Sequence, residues 1–324
     1  MNARYPGLFE KGILHEKVRV LRDVLKHCTL CPRLCGVDRT EGEQGFCLLS
    51  EDAVISHALA HFGEEPPVSG TEGAGTIFFS SCNLRCVYCQ NYQISHQMLG
   101  TCIDAEALAR VMVTLQDEGC HNIECVTPTP HVPRIVEALA IACERGLRIP
   151  LVYNCGGYEN PDIVRMLDGI VDVYMPDFKY GNDRDAYHLS GVRDYASWAV
   201  CAVKEMVRQV GASLEVEDGV VRRGIIIRHL LLPGHVRGSL EVLRLIKEHC
   251  STSCAISIMA QYVPMTSVAH TALLGRRVTQ QEYEVVVNGA LDMGFDHVFV
   301  QDIDEKNLVP DFMKETPFQW TTSV

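Results

Sequence analysis

Apolar and polar positions along this chain follow two alternating periods. Short apolar or β-branched runs at 76–80, 123–127, 149–154, 171–176, 224–231, 255–259 and 297–300 predict buried strands. Between them the period lengthens to that of a helix. Asp104 stands where an N-cap belongs, and Ala105, Leu108, Ala109, Val111, Met112 and Leu115 recur at helical spacing behind it. A second helix opens with Pro133 in its first turn and stops at Gly146, the asymmetry expected of helix ends. Amphipathic stretches at 197–211, 239–250 and 279–293 complete the alternation.

Strand–helix alternation of this kind implies parallel strands joined by crossover helices. Six or seven such units over about 230 residues predict an α/β fold, a complete or partial (β/α) barrel. Working residues then belong at the C-terminal ends of the strands. A polar or Gly/Pro-rich set does follow each of the first six: residues 81–90, 127–131, 154–157, 176–179, 232–235 and 261–262. Three segments follow from this pattern: an N-terminal Cys-rich region over 1–74, the barrel over 75–305 and a C-terminal tail over 306–324.

Composition adds exclusions. The 324 residues carry a net charge of −12, from 29 basic and 41 acidic side chains, without a run of lysine or arginine. Such a surface is a poor match for a phosphate backbone, so no nucleic acid partner is expected. No apolar stretch reaches the roughly 18–20 residues of a membrane span, and residues 1–8 lack the apolar core of a signal peptide. With 15 cysteines, this points to a reducing, cytoplasmic setting and to metal ligation over disulfides.

Two groups of cysteines carry the candidate chemistry. Cys82, Cys86 and Cys89 form C-x3-C-x2-C in the loop after the first barrel strand. Three thiolates suit three corners of a cubane iron–sulfur cluster and leave one iron open to a non-protein ligand. The alternatives are a zinc loop or unconnected thiols. Zinc sites favour paired C-x2-C units with a fourth ligand at fixed distance, whereas the next cysteine after Cys89 is Cys102. Upstream, Cys28, Cys31, Cys35 and Cys47 stand at C-x2-C-x3-C-x11-C, with Gly36, Gly42 and Gly45 allowing tight turns. Zinc, a single iron or an auxiliary iron–sulfur cluster would each fit that quartet, and so would simple packing of thiols.

The cysteine loop, with the aromatic Tyr88 before its last cysteine, resembles the signature of the radical S-adenosylmethionine (radical SAM) enzymes. Residues 75–95 together with 61–67, 31–33, Tyr158-Glu159, 176–180, Arg228-His229 and 232–234 resemble the branch related to pyruvate formate-lyase activating enzyme, over 28–301. The resemblance implies a partial (β/α)6 TIM-like barrel, a 4Fe–4S cluster on Cys82, Cys86 and Cys89, and SAM bound at the open iron. It also implies that Tyr88 lies by the adenine, and that Asn154, Gly157, Asp177 and Lys179 lie close to SAM. Thr127 and Thr129 stand where many relatives hold the methionyl amine. The implied activity is reductive cleavage of SAM to a 5′-deoxyadenosyl radical that abstracts hydrogen, in the activating enzymes from a glycine of a partner glycyl radical enzyme. A one-electron donor such as flavodoxin or ferredoxin is implied as well.

Two departures separate the chain from the activating enzymes. After the last cluster cysteine it reads Gln90-Asn91-Tyr92, where they continue Cys-x-Asn-Pro. Its extra cysteines precede the cluster loop, whereas theirs follow it. The substrate therefore stays open between a protein glycine and a small molecule, peptide or other protein residue. A non-enzymatic iron–sulfur carrier or metal-binding scaffold is the third alternative. His131, His229 and His235 are rim histidines, either facing substrate or satisfied within the fold.

Overall fold

The alternating runs form one open sheet. The computed structural model describes residues 3–303 and 309–318. Its strands are β1 (Ala53–His61), β2 (Ala74–Phe79), β3 (Thr101–Ile103), β4 (Ile123–Val126), β5 (Leu151–Cys155), β6 (Val173–Pro176), β7 (Glu215–Glu217), β8 (Val220–Leu230), β9 (Ala255–Met259) and β10 (Val298–Val300). They run in the order β10-β9-β8-β6-β5-β4-β2-β1-β3, with β7 beside β8. The neighbours from β2 to β10 are all parallel, and they are the seven strands expected from the pattern. The sheet does not close. It is a partial TIM-like barrel, extended past β2 by the antiparallel strands β1 and β3.

Why these segments fold so is visible in their burial. Every residue of β2, β4, β5, β6 and β9 is buried, as parallel strands covered on both faces require. Asp104 caps the helix Ala105–Asp117 by accepting from the Ala107 amide at 2.7 Å, and that helix buries Leu108, Ala109, Met112 and Leu115. Each such leucine or methionine contributes about 1.5–3 kcal/mol. The helices Val132–Glu144, Tyr195–Val210, Val236–His249 and Gln280–Asp292 supply the other crossovers where helical periods were expected.

The N-terminal region wraps onto the barrel. Strand β1 pairs with β2, so hydrogen bonding crosses the expected 74/75 boundary. The Asp172 carboxylate before β6 accepts from the amides of Arg4 (3.1 Å) and Leu151 (3.0 Å), and the Tyr5 hydroxyl donates to the Ile149 carbonyl at 2.8 Å. Of the expected C-terminal tail, residues 309–318 are described and the remainder lies outside the described residues. There Phe312 and Phe318 pack on Phe78 of β2, with ring centroids 5.4 and 5.1 Å away. The Gln93 amide donates to Asp311 at 3.0 Å, which fixes this segment beside the mouth of the barrel.

Candidate active site

Strand β2 delivers the chain into the cysteine loop, which turns through left-handed backbone at Ser81 (φ 80°) and Arg85 (φ 49°). The Ser81 hydroxyl donates to the Cys47 carbonyl at 2.6 Å, so the loop is pinned from behind by the N-terminal region. Every sulfur of the loop receives one hydrogen bond. Cys82 Sγ accepts from the Leu84 amide (3.4 Å), Cys86 Sγ from the Ser190 hydroxyl (3.0 Å) and Cys89 Sγ from the Ser95 hydroxyl (3.2 Å). The three thiols open into one cavity of about 240 Å³, which also takes in Tyr88 of the same loop and Asn154, Asp177 and Lys179 from the ends of later strands.

That donor set fits a cluster and its ligand. Donors aimed at the sulfurs stabilise thiolate charge, and a cation stands beside them. Burial, then the neighbouring Cys86, pushes the Cys89 thiol up to about 12, and the same two causes raise Cys82. Buried thiols of this kind ionise when a metal takes the charge. Burial opposes the Lys179 ammonium, yet Asp177, Cys86 and Cys82 together hold it above the ordinary lysine value. Lys179 is ion-paired with Asp177. Tyr88 is buried, and its hydroxyl continues through Tyr180 (3.0 Å) to Ser190 (2.5 Å) and so to Cys86.

The loop after β4 carries local strain. Thr127 has φ 61°, a left-handed conformation that β-branched residues rarely adopt, and its amide donates to the Asn154 carbonyl at 2.9 Å. Thr127 lines the cavity. Thr129 instead donates to Glu159 at 2.7 Å within the buried core. Gly156 lines the cavity, whereas Gly157 lies behind it: at φ 77°, a Cβ there would stand 2.0 Å from the Asp177 carbonyl. Gly157 therefore lets the loop after β5 seat directly against the Asp177–Lys179 turn.

The three histidines are spent within the fold. His131 is buried, donates to the Ser80 carbonyl at 2.8 Å and is pulled down to about 3 by burial. His229 donates to the Phe178 carbonyl (2.7 Å) and accepts from the Ser239 hydroxyl (2.8 Å); burial pulls it to about 4. His235 donates to the Pro233 carbonyl at 3.0 Å, outside the cavity. The fifth strand instead reaches the cavity through Arg228 and Leu230 of β8 itself, and the sixth through Met259 and Gln261. The Gln90 side chain donates to the Gln261 carbonyl at 2.8 Å and ties the cysteine loop across to that rim.

Four functional-looking groups escape the barrel-rim pattern: His61, Glu64 and Arg228 line the floor of the chamber, and Glu65 pairs with Arg228 behind it. Their signal in the sequence was the segment 61–67 and the pair Arg228-His229, motifs with no chemistry of their own until they meet.

Cys28, Cys31, Cys35 and Cys47 line a second, small cavity behind the loop, together with Asn83. A Cβ at Gly45 would stand 2.8 Å from Cys35 Sγ, so glycine there makes room for the thiol. Arg33 lies 3.7 Å over the Phe46 ring and donates to the Asn83 carbonyl at 2.9 Å, joining this layer to the cysteine loop. Among the described residues, no three His, Cys, Asp or Glu side chains converge on a position for a single metal ion.

The model of the radical SAM superfamily matches residues 76–246, the stretch from β2 through the helix after β8. The chain belongs to the radical SAM superfamily. Membership implies an enzyme that binds a 4Fe–4S cluster and SAM. The Methanocaldococcus jannaschii protein MJ0674, itself uncharacterized, is 28% identical over 297 residues, covering 89% of this chain and 81% of its own. Structures of Streptococcus suis SuiB are among those with similarity to this chain. The one bound to precursor peptide SuiA has a TM-score of 0.46 at 12% identity, over 68% of this chain and 47% of that one. The one bound to S-adenosylmethionine has a TM-score of 0.44 at 13% identity, over 68% and 45%. This chain thus spans about half the length of the SuiB chains. No helix among the described residues is long and apolar enough to cross a membrane.

Proposed function

We propose that this radical SAM enzyme ligates its cluster through Cys82, Cys86 and Cys89 and abstracts hydrogen from a glycine of a partner glycyl radical enzyme. The observation that carries the site assignment is the single cavity shared by the three thiols and the Asp177–Lys179 pair. When bound, the reduced cluster and SAM together supply a 5′-deoxyadenosyl radical. The protein's own residues place and shield the reactants. Lys179 offers its ammonium to the SAM carboxylate, Asp177 its carboxylate to the SAM ammonium or ribose hydroxyls, and Asn154 an amide beside them. Tyr88 holds the loop against the adenine side, and Phe78, Phe318 and Met259 give the chamber apolar walls that exclude water. No side-chain acid or base is required for hydrogen abstraction. The glycine reading rests on the resemblance to the activating enzymes, with flavodoxin or ferredoxin as electron donor.

The test is anaerobic. Reconstituted, reduced protein is mixed with SAM and a candidate glycyl radical enzyme, and the EPR spectrum is recorded. A glycyl doublet is expected; SAM consumption without one on any candidate counts against this substrate. A second reading, hydrogen abstraction from a small molecule, a peptide or another protein residue, is favoured by the charged floor of the chamber. The quartet Cys28, Cys31, Cys35 and Cys47 is proposed as a second metal site, supported by its shared cavity and the room left at Gly45.

A further inference from the structure

Beneath the cavity, two carboxylates meet one guanidinium and a third, Glu124, lies beside Glu64. Arg228 Nη1 lies 3.1 Å from Glu64 Oε2, and Arg228 Nε lies 3.1 Å from Glu65 Oε1. Glu124 is satisfied by neutral donors, the Thr76 hydroxyl at 2.6 Å and the Asn154 amide at 2.8 Å. The Glu64 and Glu65 side chains are only 7% and 6% exposed; Glu64 Oε2 is the atom that meets Arg228, Glu64 also contacts Glu124, and Glu65 Oε2 has no hydrogen-bond partner among the described residues. His61 stands 3.8 Å from Glu64 Oε1, but burial, then Arg228, pulls it to about 4, so it is neutral. Lys179 is paired with Asp177. The floor therefore holds two more carboxylates than cations.

An excess of buried negative charge is strongly unfavourable unless a proton or a cationic ligand balances it. Burial and then Glu124 raise the Glu64 carboxyl well above the ordinary value, in the direction that favours its neutral form. Glu64, unlike Glu65 and Glu124, lines the same cavity as the cluster cysteines.

We infer that Glu64, the cavity-lining member of this carboxylate group, receives a primary ammonium group of the substrate. A hard metal cation is a poor alternative: it would need six or more oxygens, and the Arg228 guanidinium already occupies the space between the Glu64 and Glu65 carboxylates. A guanidinium would need a planar carboxylate edge, and Arg228 already lies against the Glu64 carboxylate. The ammonium is carried either by a free amine or by a lysine side chain. Held there, it would bring a neighbouring C–H into the chamber that also contains the thiols, an inference that rests on the hydrogen-abstraction reading.

The reconstituted full-length holoenzyme with SAM is titrated with n-butylammonium and with n-butanol, by calorimetry. An acetylated Gly-Lys-Gly amide and its norleucine counterpart, run in parallel, show whether a lysine side chain or a free amine is the better carrier. The ammonium form is expected to bind at least about tenfold tighter than its neutral match, as for a charge-assisted hydrogen bond. In Glu64→Gln that preference should fall below about threefold. Equal binding of both charged forms and their neutral matches, or a preference retained in folded Glu64→Gln, overturns the inference. Should Glu64→Gln fail to fold, the wild type decides: titrations in two buffers of different ionisation heat must show release of a proton on ammonium binding, and none overturns it. SAM cleavage by the wild type is scored separately. Its absence would sink the radical reading while leaving the ammonium result standing.

Discussion

Single side chains at this site divide into those that hold charge and those that hold shape. Lys179 is the cation beside the thiols, and its partner Asp177 is the carboxylate opposite. Lys179→Met removes the cation and keeps much of the bulk. SAM affinity is expected to fall about 10- to 100-fold, the equivalent of about 1.5–3 kcal/mol for a hydrogen bond to a charged group. Equilibrium dialysis checks it, with the cluster absorbance followed in the same sample. Unchanged affinity at full cluster content would remove Lys179 from the SAM site. Gly157 is a shape residue: it adopts φ 77° and lies too close to Asp177 for any side chain. Cys82, Cys86 and Cys89 were expected together from their spacing, and Asp177 and Lys179 from their place after a barrel strand and the family resemblance; all five line one cavity. Glu64 and Arg228 were not expected together, since no spacing argument joins a loop residue at 64 to a strand residue 164 positions later.

At the scale of elements, the parallel strands and their crossover helices were legible because both periods are clean and buried. Strand β1 was not: its register slips between Ile55 and His57, and most of its residues are only half-buried, so neither period survives. The helix Gln280–Asp292 shows how a local signal sets an element boundary. Thr279 accepts from the Glu282 amide at 3.2 Å, and Glu282 accepts from the Thr279 amide at 3.0 Å, a reciprocal cap. Glu282 also accepts from Arg276 at 2.7 Å and from the Gly234 amide at 2.8 Å, tying the helix to the loop after β8. Arg276 foremost holds the Glu282 carboxyl down to about 2, below its ordinary 4.5. A depressed folded-state value stabilises above the unfolded value and is lost as pH falls through the folded one. The stability difference between wild type and Glu282→Gln should therefore be full above pH 4.5 and shrink toward pH 2. Urea melts across that window test it, and a constant difference would mean the carboxylate charge plays no part.

Across the whole molecule, the N-terminal region lies behind the cysteine loop as a supporting layer. Ser81 reaches the Cys47 carbonyl and Arg33 the Asn83 carbonyl, so the quartet and the cluster loop share backbone contacts. If the quartet holds a metal, protein purified anaerobically should carry metal beyond the four irons of the cluster. Cys31→Ala should remove that excess and spare the absorbance of the cluster. Elemental analysis of both proteins decides, and equal metal content would make the quartet a packing layer. The chain's pattern by itself determined the parallel α/β architecture, the three-thiol loop at the end of its first barrel strand and the rim residues that follow later strands. These are local or periodic properties, set within a few residues by burial, turn geometry and thiol spacing. Only the tertiary structure decided that the sheet stays open, that β1 joins it, and that His131, His229 and His235 bond within the fold and do not line the chamber. It also brought Glu64, Glu65, Glu124 and Arg228 together beneath the thiols. The reason is physical: charge balance in a buried chamber depends on which distant segments the fold brings within a few ångströms, and no local pattern records that distance.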